Sequence, residues 1–279
     1  MELADIPYTA AAADRQRQLD VYAPPSAVHA VPRPPLVVFL HGGAWRAEDK
    51  AEHRQLALNL VAATGFAVAV PNYRLTPRDP PDDDHFRHPG HAEDALHALS
   101  FLVAWQGPSA AGPFYDPSRL YLIGHSCSAH MLSSIFLDSK AVSPSLTPPP
   151  ELVQSVKGIV LSEGIYDLDL LLADFPDYLQ WFIRPTFGTR ESYTPFSTTT
   201  FPLIATHIKW LIIHSKGDTL VNLPQSEAIY RHLVDLNGNE ASARVYRNTD
   251  NLSAEHNDIF LAQDYAHIVK EFILNCGAV

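Results

Sequence analysis

The stretch Arg119-Leu-Tyr-Leu-Ile-Gly-His-Ser-Cys-Ser-Ala-His-Met-Leu-Ser-Ser-Ile-Phe-Leu137 constrains the fold more than any other part of the chain. Leu120 to Ile123 is a short apolar run, the pattern of a buried strand. Met131, Leu132, Ile135 and Phe136 then recur at helical spacing. Between them Gly124-His-Ser-Cys-Ser128 makes a sharp strand-to-helix turn with Ser126 at its apex. Small residues flank that serine because the strand and helix backbones come close together there.

The rest of the chain keeps the same alternation. Residues 18–24 read as an outer strand ending in prolines, and residues 30–35 as a proline-rich loop. Leu36 to Leu40 and residues 66–70 are continuous apolar runs, as expected of strands covered on both faces. A helix is expected over 52–63, stopped by Gly65, and a second over 91–105. Residues 77–89 form an acidic, proline-rich loop, and residues 143–150, with four prolines, a surface loop. Further strands are expected at 156–161, 210–213 and 244–247, with helices at 224–236 and 258–274. Residues 164–207 break the rhythm with aromatics at no clean period, and read as a small cap. The expected architecture is α/β: one domain over 1–279, a mostly parallel sheet with helices on both faces, and a cap insertion at about 164–207.

Composition narrows the partners. Lys plus Arg total 20 against 31 Asp plus Glu, a formal charge of -11, which argues against nucleic acid or an anionic membrane. No apolar stretch approaches the ~20 residues that span a bilayer. Only Cys127 and Cys276 are present, too few for a disulfide framework. With no basic, apolar start resembling a signal peptide, a cytoplasmic protein is the expectation. The expected partner is a small-molecule substrate and, at most, a second copy of the chain.

A serine at such an apex fits the nucleophile elbow of α/β-hydrolases, although the usual final glycine is Ser128 here. The hydroxyl needs a base, and the base an orienting carboxylate. On this fold they follow the serine in the order acid, then histidine. Asp218, in the glycine turn Ser215-Lys-Gly-Asp218 after a strand, is the expected acid, although a plain turn cap is the alternative. His256, just before the last helix, is the expected base. Asp167 and Asp169 are rival carboxylates that better suit the start of the cap, and His214 lies on the wrong side of the acid. Upstream, His41-Gly-Gly-Ala-Trp45 offers glycines whose backbone N–H groups can turn toward an oxyanion.

H-G-G-x-W, a G-H-S elbow and Gly164-Ile-Tyr-Asp-Leu168 together resemble the kynurenine formamidases, from Leu19 to His256. The resemblance implies a cofactor-free α/β-hydrolase that releases kynurenine and formate from N-formyl-kynurenine in tryptophan breakdown. It also implies oxyanion donors at Gly43, Ala44 and Cys127, and matches Arg74, His91 and Asp94 to similar residues. Trp45 and Tyr73 are the expected substrate contacts, with Trp45 walling the acyl side and aromatics between Phe175 and Phe201 receiving the ring. Glu163, a departure from the pattern, reads as an acceptor in its turn rather than a contact for a substrate ammonium.

A carboxylesterase acting on small esters with the same triad is the alternative function, and a non-catalytic binding protein a third. No cofactor is expected, since neither a G-x-G-x-x-G nor a P-loop occurs. His85, His88 and His91 are close in sequence, but three-residue spacing in a proline loop sets no common face, so no metal is expected.

Overall fold

Among the described residues, eight strands form one sheet: β1 (Glu2–Pro7), β2 (Gln18–Tyr22), β3 (Leu36–Leu40), β4 (Ala67–Pro71), β5 (Leu120–His125), β6 (Val156–Ser162), β7 (Lys209–Ile213) and β8 (Val245–Asn248). The structure is a computed structural model and describes residues 1–11, 13–78, 85–108 and 112–277. The order across the sheet is β1-β2-β4-β3-β5-β6-β7-β8. From β4 to β8 every pair is parallel, and only β1 and β2 run antiparallel to their neighbours. This is the α/β-hydrolase architecture, with the elbow strand β5 at its middle.

The continuous apolar runs follow from cover on both faces. Along β3, Leu36, Val38 and Leu40 enter one core with helices Gly90–Ala104 and Cys127–Phe136. Val37 and Phe39 enter the other, against helices Arg54–Thr64 and Gln263–Cys276. A one-residue change of register would exchange the two sets.

Two expectations shift. The strand at Gln18–Tyr22 is not the outer one, because β1 pairs along its free edge. Helix Pro150–Ser155 begins on the last residue of the loop expected over 143–150, Pro150 occupying the first turn where its missing N–H costs nothing. The acidic Asp82-Asp-Asp84 run of the other proline-rich loop lies outside the described residues.

The parallel strands deliver their connections to one edge of the sheet, where ligands of such folds bind. The ladder continues one step beyond the strands: Ser126 N–H donates to Ser162 O (2.9 Å), Glu163 N–H to Ile213 O (2.8 Å) and His214 N–H to Asn248 O (3.0 Å). The turns after β5, β6 and β7 are thereby fixed to one another before any side chain is considered.

Candidate active site

Ser126 sits between β5 and helix Cys127–Phe136 with φ 56° and ψ -119°, a strained conformation for a residue with a side chain. The turn is as close as its small residues require: a Cβ on Gly124 would lie 2.7 Å from the Ser128 carbonyl oxygen. Ser128 is fully buried, and its hydroxyl donates to the His41 carbonyl, tying the elbow helix to the end of β3.

That strand end leads into a run of left-handed residues, Gly43 (φ 91°), Ala44 (φ 53°) and Trp45 (φ 59°). A Cβ on Gly43 would come within 2.2 Å of the Ala47 oxygen, so only glycine fits. The Gly43 carbonyl accepts from Arg46 and Ala47 N–H, both at 2.9 Å, and Thr76 N–H donates to Trp45 O at 2.8 Å. Behind the turn stand Tyr73 and Cys127. The Tyr73 ring stacks on His41 with centroids 4.4 Å apart, and Cys127 Sγ accepts from Trp45 N–H at 3.3 Å. Burial pushes the Cys127 thiol up to about 12, so its sulfur is an inert part of the core.

His256 and Asp218 meet between two loops. His256 Nδ1 donates to Asp218 Oδ2 at 2.8 Å, the tautomer that leaves Nε2 free to take a proton. Asp218 Oδ1 accepts from Leu220 and Val221 N–H, both at 2.9 Å. Ser215 Oγ donates to Ala254 O (2.6 Å) and Lys216 N–H to Leu252 O (3.0 Å), clamping the acid loop to the base loop.

Ser126, His256, Gly43 and Ala44 all line one cavity of about 630 Å³, open mouth included. Ile165, Tyr178, Trp181, Phe182, Leu220 and Val221 complete a mainly apolar wall. Tyr178, Trp181 and Phe182 come from the segment between β6 and β7, where helix Leu168–Asp174 is followed by a one-turn π-helix, Leu179–Ile183. Asp167 and Asp169 play no part in the cavity wall. Asp167 caps that helix by accepting from Leu170 N–H at 3.0 Å, and Asp169 accepts from Tyr193 N–H at 3.0 Å.

Trp45 and Tyr73 are not among the cavity-lining residues, contrary to expectation. Left-handed backbone carries the Trp45 side chain into the core, where its ring lies 6.0 Å from Phe182 and 5.2 Å from Phe187. The Tyr73 phenol is spent on the His41 and Gly42 carbonyls. Arg74 pairs with the buried Asp94 at 2.7 Å, and His91 Nε2 meets Thr76 Oγ1 at 2.9 Å. Both contacts anchor the strand end that carries Tyr73. His85, His88 and His91 face separate partners: the Pro185 carbonyl, the ring of Phe187 and Thr76.

Two carboxylates stand at the site: Glu48, which carries no signal in the sequence, and Glu163, which the sequence marks only as a departure from the family pattern. Glu48 (φ 72°) lines the cavity and accepts from His53 Nε2 at 2.9 Å. Burial works to raise its carboxyl, but the His53 bond and the Gly42 N–H outweigh it and hold the group below the usual range. Glu163 is buried beside His256 and His125. Donor atoms of His41, Glu48 and His53, and those of His125, Glu163 and His256, lie within 4.8 Å of one another. The second group includes the His256 nitrogen already engaged by Asp218.

A family profile described as BD-FAE matches residues 19–233. The kynurenine formamidase of Meyerozyma guilliermondii is 29% identical over 199 residues, covering 68% of each chain. That of Danio rerio is 31% identical over 173 residues, 62% of this chain and 49% of its own, so the match spans about half of that relative. Among solved structures, esterase B of Lactobacillus rhamnosis superposes with a TM-score of 0.74 at 19% identity, covering 100% of this chain and 85% of its own. An esterase of Thermogutta terrifontis gives a TM-score of 0.65 at 18% identity, covering 99% and 94%.

Proposed function

The chain belongs to the BD-FAE family of α/β-hydrolases, with kynurenine formamidases among its relatives, and on that premise we propose that it is a serine hydrolase cleaving N-formyl-L-kynurenine to kynurenine and formate. The observation that carries the reading is the meeting of Ser126, His256 and the Gly43–Ala44 turn in one cavity walled by Tyr178, Trp181 and Phe182.

In this reading His256 Nε2 takes the Ser126 proton as Oγ attacks the formyl carbon. Asp218, at 2.8 Å, balances the charge that forms on the imidazole. The N–H groups of Gly43, Ala44 and Cys127 receive the oxyanion, each donor being worth roughly 3–4 kcal/mol in such sites. Collapse breaks the C–N bond as His256 returns the proton to the departing aniline nitrogen. Water, deprotonated by His256, then attacks the formyl-serine carbon, the Oγ–C bond breaks as His256 returns the proton to Ser126 Oγ, and formate departs. The aromatic wall offers the flat ring of the leaving group an apolar surface.

Burial of Trp45 favours a second reading, small-ester hydrolysis by the same residues, because the indole expected to narrow the acyl side does not line the cavity. Purified protein assayed on N-formyl-kynurenine and p-nitrophenyl acetate side by side separates the two. A higher kcat/KM on the ester sinks the formamidase reading. Failure of a fluorophosphonate probe to label Ser126 sinks both and leaves a binding protein.

A further inference from the structure

Glu163 follows β6 with its side chain wholly inside the protein, and the mechanism above gives it no task. Its backbone is left-handed (φ 49°), an uncommon state for a residue with a Cβ. Its Oε1 accepts from Ser215 N–H at 3.2 Å. Its Oε2, which has no hydrogen-bond partner among the described residues, lies 3.4 Å from His256 Nδ1 and 3.5 Å from His125 Nε2. Asp218 Oδ2 lies 2.8 Å from the same His256 nitrogen. Carboxyl groups from two different loops therefore face a single ring N–H.

We propose that Glu163 is a second acid for His256, a positioning residue that supplies the carboxylate facing Nδ1 when Asp218 cannot. The proposal rests on reading His256 as the base. Two neighbouring carboxylates cannot both ionise cheaply in a buried site, so the one with more hydrogen-bond donors takes the charge. Asp218 has two backbone N–H donors, whereas Glu163 has one. Burial, and after it the charge of Asp218, push Glu163 up to about 9, leaving it protonated near neutral pH. Once residue 218 is neutral, the second of these causes is gone, while burial, the larger, remains. The imidazolium forming at His256, 3.4 Å away, is the countercharge that offsets it as Glu163 ionises and accepts from Nδ1–H.

The other groups facing this point do not compete. His125, from β5, is held well below the usual imidazole range by burial and then by His256, and its Nε2 meets the His256 carbonyl at 3.1 Å. His214 reaches Asp218 at 3.9 Å and is lowered by burial. The phenols of Tyr166 and of Tyr265, the latter 2.9 Å from Ser162 Oγ, are raised by burial and stay neutral. His256 is the cation that forms there.

The test measures kcat/KM against pH on p-nitrophenyl acetate for Asp218→Asn, Glu163→Gln and the double variant, with Ser126→Ala as control. Asp218→Asn is expected to keep ~10²-fold more activity than the double variant, with a carboxylate ionisation on its acid limb that the double lacks. Glu163→Gln should cost far less on the wild-type background than on Asp218→Asn. Equal activities and pH profiles for Asp218→Asn and the double variant overturn the proposal. If Glu163→Gln does not fold, the far-downfield Nδ1 proton resonance of His256 in Asp218→Asn decides: its persistence supports the proposal and its loss overturns it. Turnover surviving in Ser126→Ala instead refutes the serine-hydrolase reading itself.

Discussion

The one O–H of Tyr73 is shared between the Gly42 carbonyl at 2.7 Å and the His41 carbonyl at 2.9 Å, just before the left-handed turn that lines the cavity. A left-handed run such as Gly43 to Trp45 holds its shape only where its surroundings over-determine it. Tyr73→Phe takes the phenol proton from the buried Gly42 carbonyl and leaves the His41 carbonyl to Ser128 Oγ alone, a loss of about 1–3 kcal/mol. Because the residue does not line the cavity, we expect kcat to fall roughly tenfold while KM changes little, as when an interaction acts only through the transition state. Steady-state kinetics with a thermal melt checks this. A variant with lower stability and unchanged kcat would show that the bond supports the fold alone.

The proposed acid can be separated from its rival by role. Asp167 ends a helix and Asp218 faces His256. Asp167→Asn should leave kcat within a few-fold of wild type, since asparagine is as good a helix cap as aspartate. Ser126→Ala should abolish turnover and retain the melting temperature. A crippled Asp167→Asn enzyme with normal stability would move the acid to the other loop.

Stability should fall steeply on the acid side. His41 and His130 are lowered to about 4 and His91 to about 3, with burial the largest cause, and His88 and His125 lie well below the usual value. In the unfolded chain each imidazole takes its proton near 6.5. Their stabilisation is therefore complete above about pH 6.5 and lost as pH drops through the folded values, at up to about 1.4 kcal/mol per pH unit for each. Glu163 works in the opposite sense. Its raised value, about 9, means its contribution is full below the unfolded carboxyl value and lost as pH rises toward 9. Thermal melts should show Tm dropping sharply below about pH 6, where the histidines outweigh the single acid. Glu163→Gln should flatten the decline between about pH 7 and 9. A Tm constant between about pH 7 and 5 would mean these imidazoles take up protons as readily in the fold as in the unfolded chain.

The parallel strands are legible in the sequence because cover on both faces forces unbroken apolar runs such as Leu36 to Leu40. β1 is not, since a bulge between Leu3 and Ile6 puts its inward residues three apart and erases the period of two. At the site, Ser126, Asp218 and His256 follow from strand ends and turn residues, which chain order makes visible. Glu48, Glu163 and Trp45 do not. Each departs from left-handed backbone at a residue other than glycine, and no composition or spacing rule says where such a side chain points. The elbow shows the same limit: Ser128 reads as a small residue tolerated in place of glycine, whereas in the fold its hydroxyl binds the His41 carbonyl. Ser128→Gly should therefore fold but lose about 1 kcal/mol of stability.

The two tryptophans near the cavity should separate packing from recognition. Trp45 is fully buried behind Phe182, so Trp45→Ala removes a large core side chain at a cost of about 3–5 kcal/mol. Its effect on acyl preference should be indirect, through the slack it leaves behind Phe182. Trp181 lines the cavity while 52% exposed, and its T-shaped contact with Phe182, centroids 5.1 Å apart, orients it at the mouth. Trp181→Ala should leave Tm nearly unchanged, because an exposed ring contributes little to the core. It should raise KM for aryl leaving groups by roughly threefold to tenfold, the ~0.5–1.5 kcal/mol of an aromatic pair, and spare small alkyl esters. On a fixed aryl leaving group, kcat/KM of the wild type should fall from formyl to acetyl to butyryl, by ~10–200-fold for each methylene the pocket rejects. The two variants and the acyl series need only one assay and one melt each. An unchanged KM for aryl substrates in Trp181→Ala would take the leaving group off the aromatic wall, and a preference for butyryl over formyl would leave the esterase reading in possession of the site.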